Sequence, residues 1–113
     1  MSSPWESFFA ATTMLASSGP IKYRLSEAYR THLSTLDHDQ LPSEIRDEFS
    51  TLSTCMSRVR PLRGESAINA TVRKMSDADA GRVAAQIVNM LGVIARAQTP
   101  QQRVPMLRAV GDD

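Results

Sequence analysis

Residues 76–98, SDADAGRVAAQIVNMLGVIARAQ, decide the fold. Ser76 offers a hydroxyl that can accept a backbone N–H of the first helical turn. Asp79, three residues on, can return the bond as the acidic half of a capping box. Asp77 and Asp79 place negative charge at the positive end of the helix dipole, and Arg96 sits at the negative end. Ala80, Val83, Ala84, Ile87, Val88, Leu91, Ile94 and Ala95 recur at three and four, which predicts one broad apolar stripe. Gly81 and Gly92 each cost a helix interior about 1 kcal/mol relative to Ala. Burial of the stripe must offset them, or a neighbouring helix must need the close approach.

Working outward, the same signals recur. Ser3-Pro4-Trp5-Glu6 carries a cap, a proline for the first turn and a glutamate three after the cap. Trp5, Phe8, Phe9, Thr12, Leu15 and Ala16 follow with helical spacing, and Gly19 marks the stop. Pro20 opens a second stripe of Ile21, Leu25, Ala28, Tyr29, His32, Leu33 and Leu36, closed by the polar cluster at 37–40. Pro42 opens a third, in which Ile45, Phe49, Leu52, Met56 and Val59 form almost a heptad seam. Arg58 and Arg60 are expected near its C-terminus, and Pro61 ends it. A shorter helix is expected from Glu65 to Met75, with Ile68, Val72 and Met75 on one side. No alternating strand pattern is found.

The expected class is all-α, a compact bundle of four to five short helices. The helices are placed at 4–17, 20–36, 42–59, 65–75 and 76–98 of a single domain spanning 1–98. Pro105 interrupts 99–113, which is read as a flexible, loosely ordered tail.

Composition narrows the function. The 113 residues suit one domain, and the net charge of +1 is low for a dedicated nucleic-acid binder. Arginine supplies nearly all the positive charge, since Lys22 and Lys74 are the only lysines. The lone Cys55 excludes an intramolecular disulfide and a multi-thiolate zinc site, and its helical setting reads as a small apolar filler. His32 and His38 are not spaced as metal ligands, and His38 between Asp37 and Asp39 reads as a solvated turn residue. Glu44, Asp47 and Glu48 read as the exposed, dipole-favoured start of a helix. Nucleophile elbows, P-loops and dinucleotide fingerprints are absent. No cofactor, no metal and no enzymatic activity are expected. No stretch reaches the ~20 apolar residues of a membrane span, and the start lacks a secretory signal's basic region. The expected location is the cytoplasm.

Two features suggest binding. Trp5, Phe8 and Phe9 gather the only Trp and two of the three Phe into one short helix, a candidate docking face. The charges are also segregated. Asp37, Asp39, Glu44, Asp47 and Glu48 form an acidic block. Arg58, Arg60, Arg63, Arg73 and Lys74 form a basic one, a candidate contact for an anion or a partner. The blocks could face each other within the fold, pair between protomers, or leave the basic one as a binding surface. Arg60, Arg63 and Gly64 also precede a helix start that could suit a phosphate. The leading expectation is a non-enzymatic protein–protein interaction or regulatory adaptor protein, homodimeric in its simplest form. The alternative is a nucleic-acid-binding regulator using the basic block. A small enzyme or ligand carrier with a pocket between helices is a distant third.

Overall fold

Ser3 caps α1 (Pro4–Leu15) as its sequence demands: its hydroxyl accepts the Glu6 N–H at 3.2 Å, and the Glu6 carboxylate accepts the Ser3 N–H at 3.1 Å. Residues 3–98 are described by the structure, a computed structural model. The chain is all-α: α1 is followed by α2 (Ile21–Ala28), α3 (Ser43–Met56), α4 (Ala67–Lys74) and α5 (Asp77–Gln98). No strand occurs among the described residues. The expected 99–113 tail lies outside them.

Between α1 and α2 the chain reverses at Gly19, whose φ of +107° is a conformation that L side chains rarely adopt. No basic residue occupies the last turn of α1, and α2 supplies one. Arg24 donates to the Leu15 carbonyl at 2.5 Å and to that of Gly19 at 2.8 Å, a cation on the negative helix end.

The second helix does not run regularly to residue 36. After Ala28 it widens into a π-turn over Tyr29–Leu33, closed by the Ser34 N–H donating to the Tyr29 carbonyl at 2.9 Å. Leu25, Ala28, Tyr29 and Leu33 all reach the core, and the Tyr29 hydroxyl is 3.0 Å from Ser53 Oγ on α3. A short 3-10 turn, His38–Gln40, leads into α3.

Helix α3 ends at Met56, earlier than the expected Val59. The Val59 amide leaves the helix and donates to Thr71 Oγ1 at 3.1 Å. Arg58 and Arg60 therefore lie in the following loop and do not complement the α3 dipole. Helix α4 begins later than expected. Ser66, not Glu65, caps it by accepting the Asn69 N–H at 3.0 Å, because Glu65 is drawn back into the loop by the Leu62 N–H and by Arg73. At the corner into α5, Ser76 accepts the Asp79 N–H at 3.0 Å and Asp79 accepts the Ser76 N–H at 3.4 Å.

Helix α5 packs against α1 and α2, while α4 packs on α2 and α3. The core joins Phe8 and Ala11 of α1 to Leu25 and Leu33, to Ile45, Phe49, Leu52 and Met56 of α3, and to Ile87, Met90 and Ile94 of α5. Phe8 meets Phe49 edge-on at 5.7 Å. The α5 stripe is narrower than expected and shifted. Met90 is buried, whereas Val88 is 44% exposed. The two α5 glycines serve no close helix approach. A Cβ on Gly81 would meet nothing within 4 Å, and one on Gly92 would meet only the flexible Arg96 side chain.

Candidate functional site

Among the described residues, three surfaces hold side chains capable of recognition. The first is on α1. Positions 5 and 9 are one turn apart, so their rings share a face, while Phe8, Ala11 and Leu15 point into the core. Trp5 is half-buried against the core, and Phe9 lies beside it with ring centroids 5.5 Å apart and planes tilted 33°. Phe9 remains 54% exposed. The expected docking face of Trp5, Phe8 and Phe9 is thus divided. Phe8 has no exposed surface and belongs to the core, leaving a two-ring step of Trp5 and Phe9.

The second surface surrounds α4. Glu65 and Arg73 pair at 2.9 and 3.2 Å. Glu65 also accepts the Leu62 N–H at 3.1 Å, and Gly64 turns the loop with φ +77°. The Arg73 guanidinium, and next the Leu62 amide, hold the Glu65 carboxyl below the usual carboxylate range. With Val59 fastened to Thr71 at the other end, loop 57–66 is fixed to α4 at two points. Arg58, Arg60, Arg63 and Lys74 are exposed and have no ion pair among the described residues. Of the expected basic block, only Arg73 is spent on an internal pair.

The structure adds two residues that are far away in sequence. Lys22 of α2 donates to the Arg73 carbonyl at 3.0 Å. Its neighbour Tyr23 is 62% exposed. Leu62, at the tip of the loop, is exposed to the same extent. The only hint of the Lys22–Arg73 contact in the sequence was that a lysine suits a helix C-terminus.

The acidic block does not meet the basic one. Glu44, Asp47 and Glu48 are exposed on the first half of α3, and Arg58 follows its end; 14 residues of helix span about 21 Å. No ion pair among the described residues joins the blocks. Glu48 instead accepts from the Gln86 side chain at 3.2 Å, and Arg46 donates to the Leu41 carbonyl at 2.8 Å.

The third surface is an open cleft of about 410 Å³ beside the π-turn, lined by Ser7, Thr31, His32, Thr35, Leu36, Asp37 and Gln40. π-turns recur at functional sites, and nothing in the sequence announced this one. Ser7, His32 and Asp37 resemble the parts of a nucleophilic site, but no hydrogen bond joins them, and Asp37 is occupied in capping the Asp39 N–H at 3.0 Å. His38 is not the solvated turn residue expected. Its Nδ1 is 3.0 Å from Ser50 Oγ, and its ring stands edge-on to Phe49 at 4.9 Å, because the 3-10 turn folds back onto α3. Among the described residues no three His, Cys, Asp or Glu side chains converge to hold a metal ion.

No protein-family model, no curated protein and no solved structure matches the chain. No helix among the described residues is long and apolar enough to cross a membrane.

Proposed function

We propose that the protein is a small non-enzymatic helical module, an adaptor or regulator that works by protein–protein contact. Its contact point is the Trp5–Phe9 step, and its simplest partner is a second copy of itself. The observation that carries this reading is Phe9, a large ring more than half exposed, on a helix whose opposite face is locked into the core. Aromatic anchors on rigid supports lose little conformational freedom on binding, which is why they dominate the energetics of interfaces. The capping box and Arg24 hold both ends of α1, so the step is preorganised.

Light scattering on the purified chain tests the proposal. The wild type is expected at twice the 12.4 kDa chain mass, and Phe9→Glu at the mass of one chain. A single-chain mass for the wild type across the accessible concentration range would refute self-association. A dimer unaffected by Phe9→Glu would move the contact elsewhere.

A further inference from the structure

We propose that the surface around α4 binds single-stranded nucleic acid, with Arg58, Arg60, Arg63 and Lys74 on the phosphates and Tyr23 stacked on a base. This surface is separate from the Trp5–Phe9 step. The charges are available because the nearest carboxylate within the loop, Glu65, is already neutralised by Arg73. The cations are also held together. Val59 binds Thr71, which lies three residues before Lys74 and so on the same side of α4. That fastens the segment next to Arg58 onto the helix that ends in Lys74. The turn from Leu62 to Glu65 fixes Arg63, and the Lys22 bond to the Arg73 carbonyl brings Tyr23 to the same end of the molecule. Asp77 is the exposed acid closest in sequence to Lys74 and sits at the start of α5, where it offsets part of the field.

The chemistry selects the ligand. Guanidinium groups take phosphate oxygens bidentately and present flat faces to bases. Tyr23, exposed on the helix that Lys22 ties to α4, offers the kind of stacking ring that single strands use. Reading a duplex groove takes a projecting helix or β-ribbon, whereas α4 has eight residues with Ala70, Thr71 and Val72 buried and no strand occurs among the described residues. The acidic start of α3, at the far end from Arg58, gives the chain a charge separation despite its net charge of +1. That separation turns the basic end toward a polyanion.

The test is fluorescence anisotropy of a labelled mixed-sequence single-stranded oligonucleotide with the full chain. If four cations engage, the log–log salt slope is about −2.8, a roughly 50-fold loss of affinity between about 50 and 200 mM salt. Replacing Arg60 and Arg63 together by Ala flattens the slope by about 1.4. Tyr23→Ala weakens binding by roughly 5- to 150-fold and leaves the slope unchanged. Phe9→Ala changes neither. All these side chains are exposed, so circular dichroism of each variant is expected to match the wild type. The proposal is overturned by no binding at low salt or by a slope indifferent to Arg60 and Arg63. Equal affinity for duplex overturns it as well, as does binding to phosphatidylserine vesicles in place of the oligonucleotide.

Discussion

Replacing Phe8 and Phe9 separately by Ala distinguishes the two faces of α1 at adjacent positions. Phe8 has no exposed surface and meets Phe49 edge-on. Truncating a buried Phe costs about 3–5 kcal/mol, of which an aromatic edge contact supplies about 0.5–1.5. Phe9 is 54% exposed. Full burial of a Phe side chain contributes about 1.5–3 kcal/mol, so half-burial contributes about 1. Loss of the Trp5 contact adds a few tenths, and the better helix propensity of Ala returns about 0.5 kcal/mol. Phe9→Ala should therefore cost about 0.5–1 kcal/mol. At about 4–8 °C per kcal/mol for a domain this size, Phe8→Ala lowers Tm by at least about 12 °C and Phe9→Ala by no more than about 8 °C. Urea titrations followed by circular dichroism and Trp5 fluorescence, at high dilution, give the two values free of any contribution from self-association. Should Phe8→Ala not fold, Phe8→Leu keeps most of the volume and still exceeds Phe9→Ala. Equal costs, or the reverse order, would mean that α1 is rotated by about one residue, 100°, from the orientation described.

Four further outcomes are expected. Thr12 Oγ1 is buried without a hydrogen-bond partner, so Thr12→Val should raise stability by about 1 kcal/mol in the same urea titration. Gly81→Ala should stabilise α5 by about 0.5–1 kcal/mol, since the added methyl meets nothing, whereas Gly64→Ala should destabilise by about 1 kcal/mol or more at φ +77°; thermal melts of the pair should move in opposite directions. Glu65, held below its ordinary range by Arg73, contributes stability that is complete above that range and lost as pH falls through the folded value. Melts of Glu65→Gln should therefore lie below wild type near neutrality and converge with it in acid. Burial pushes the Tyr29 phenol up, against a smaller lowering by Ser53, so its contribution is present below the ordinary phenol range and lost as pH rises through the folded value. Tyr29→Phe should remove that alkaline loss and the late step in phenolate absorbance.

What the sequence made legible was local. The capping boxes at Ser3 and Ser76 need only residues three apart, and both form as read. Ile45, Phe49, Leu52 and Met56 repeat at helical spacing, and all four are buried. The misplacements arose where a distant residue competed for a local one. Val59 left α3 for Thr71, and Glu65 left the start of α4 for Arg73, so both ends of that loop moved. The π-turn at Tyr29–Leu33 depends on how Tyr29 and Leu33 together reach the core, which periodicity cannot express. The α1 aromatics were legible as a group. Their division between core and solvent was not, because a helical stripe fixes relative phase and leaves open which flank faces solvent. The α4 surface was half legible: its arginines fall within residues 58–73, but Lys22 and Tyr23 arrive through a contact 51 residues apart.

The most direct test of the contact proposed for α1 is site-specific photo-crosslinking in the cells that make the protein, with benzoylphenylalanine in place of Phe9 and, as control, in place of the exposed Thr51 on α3. Discrete covalent adducts are expected from position 9, led by a species of twice the chain mass, and none of comparable yield from position 51. Position 9 giving no adduct, or only the pattern seen from position 51, would contradict that contact.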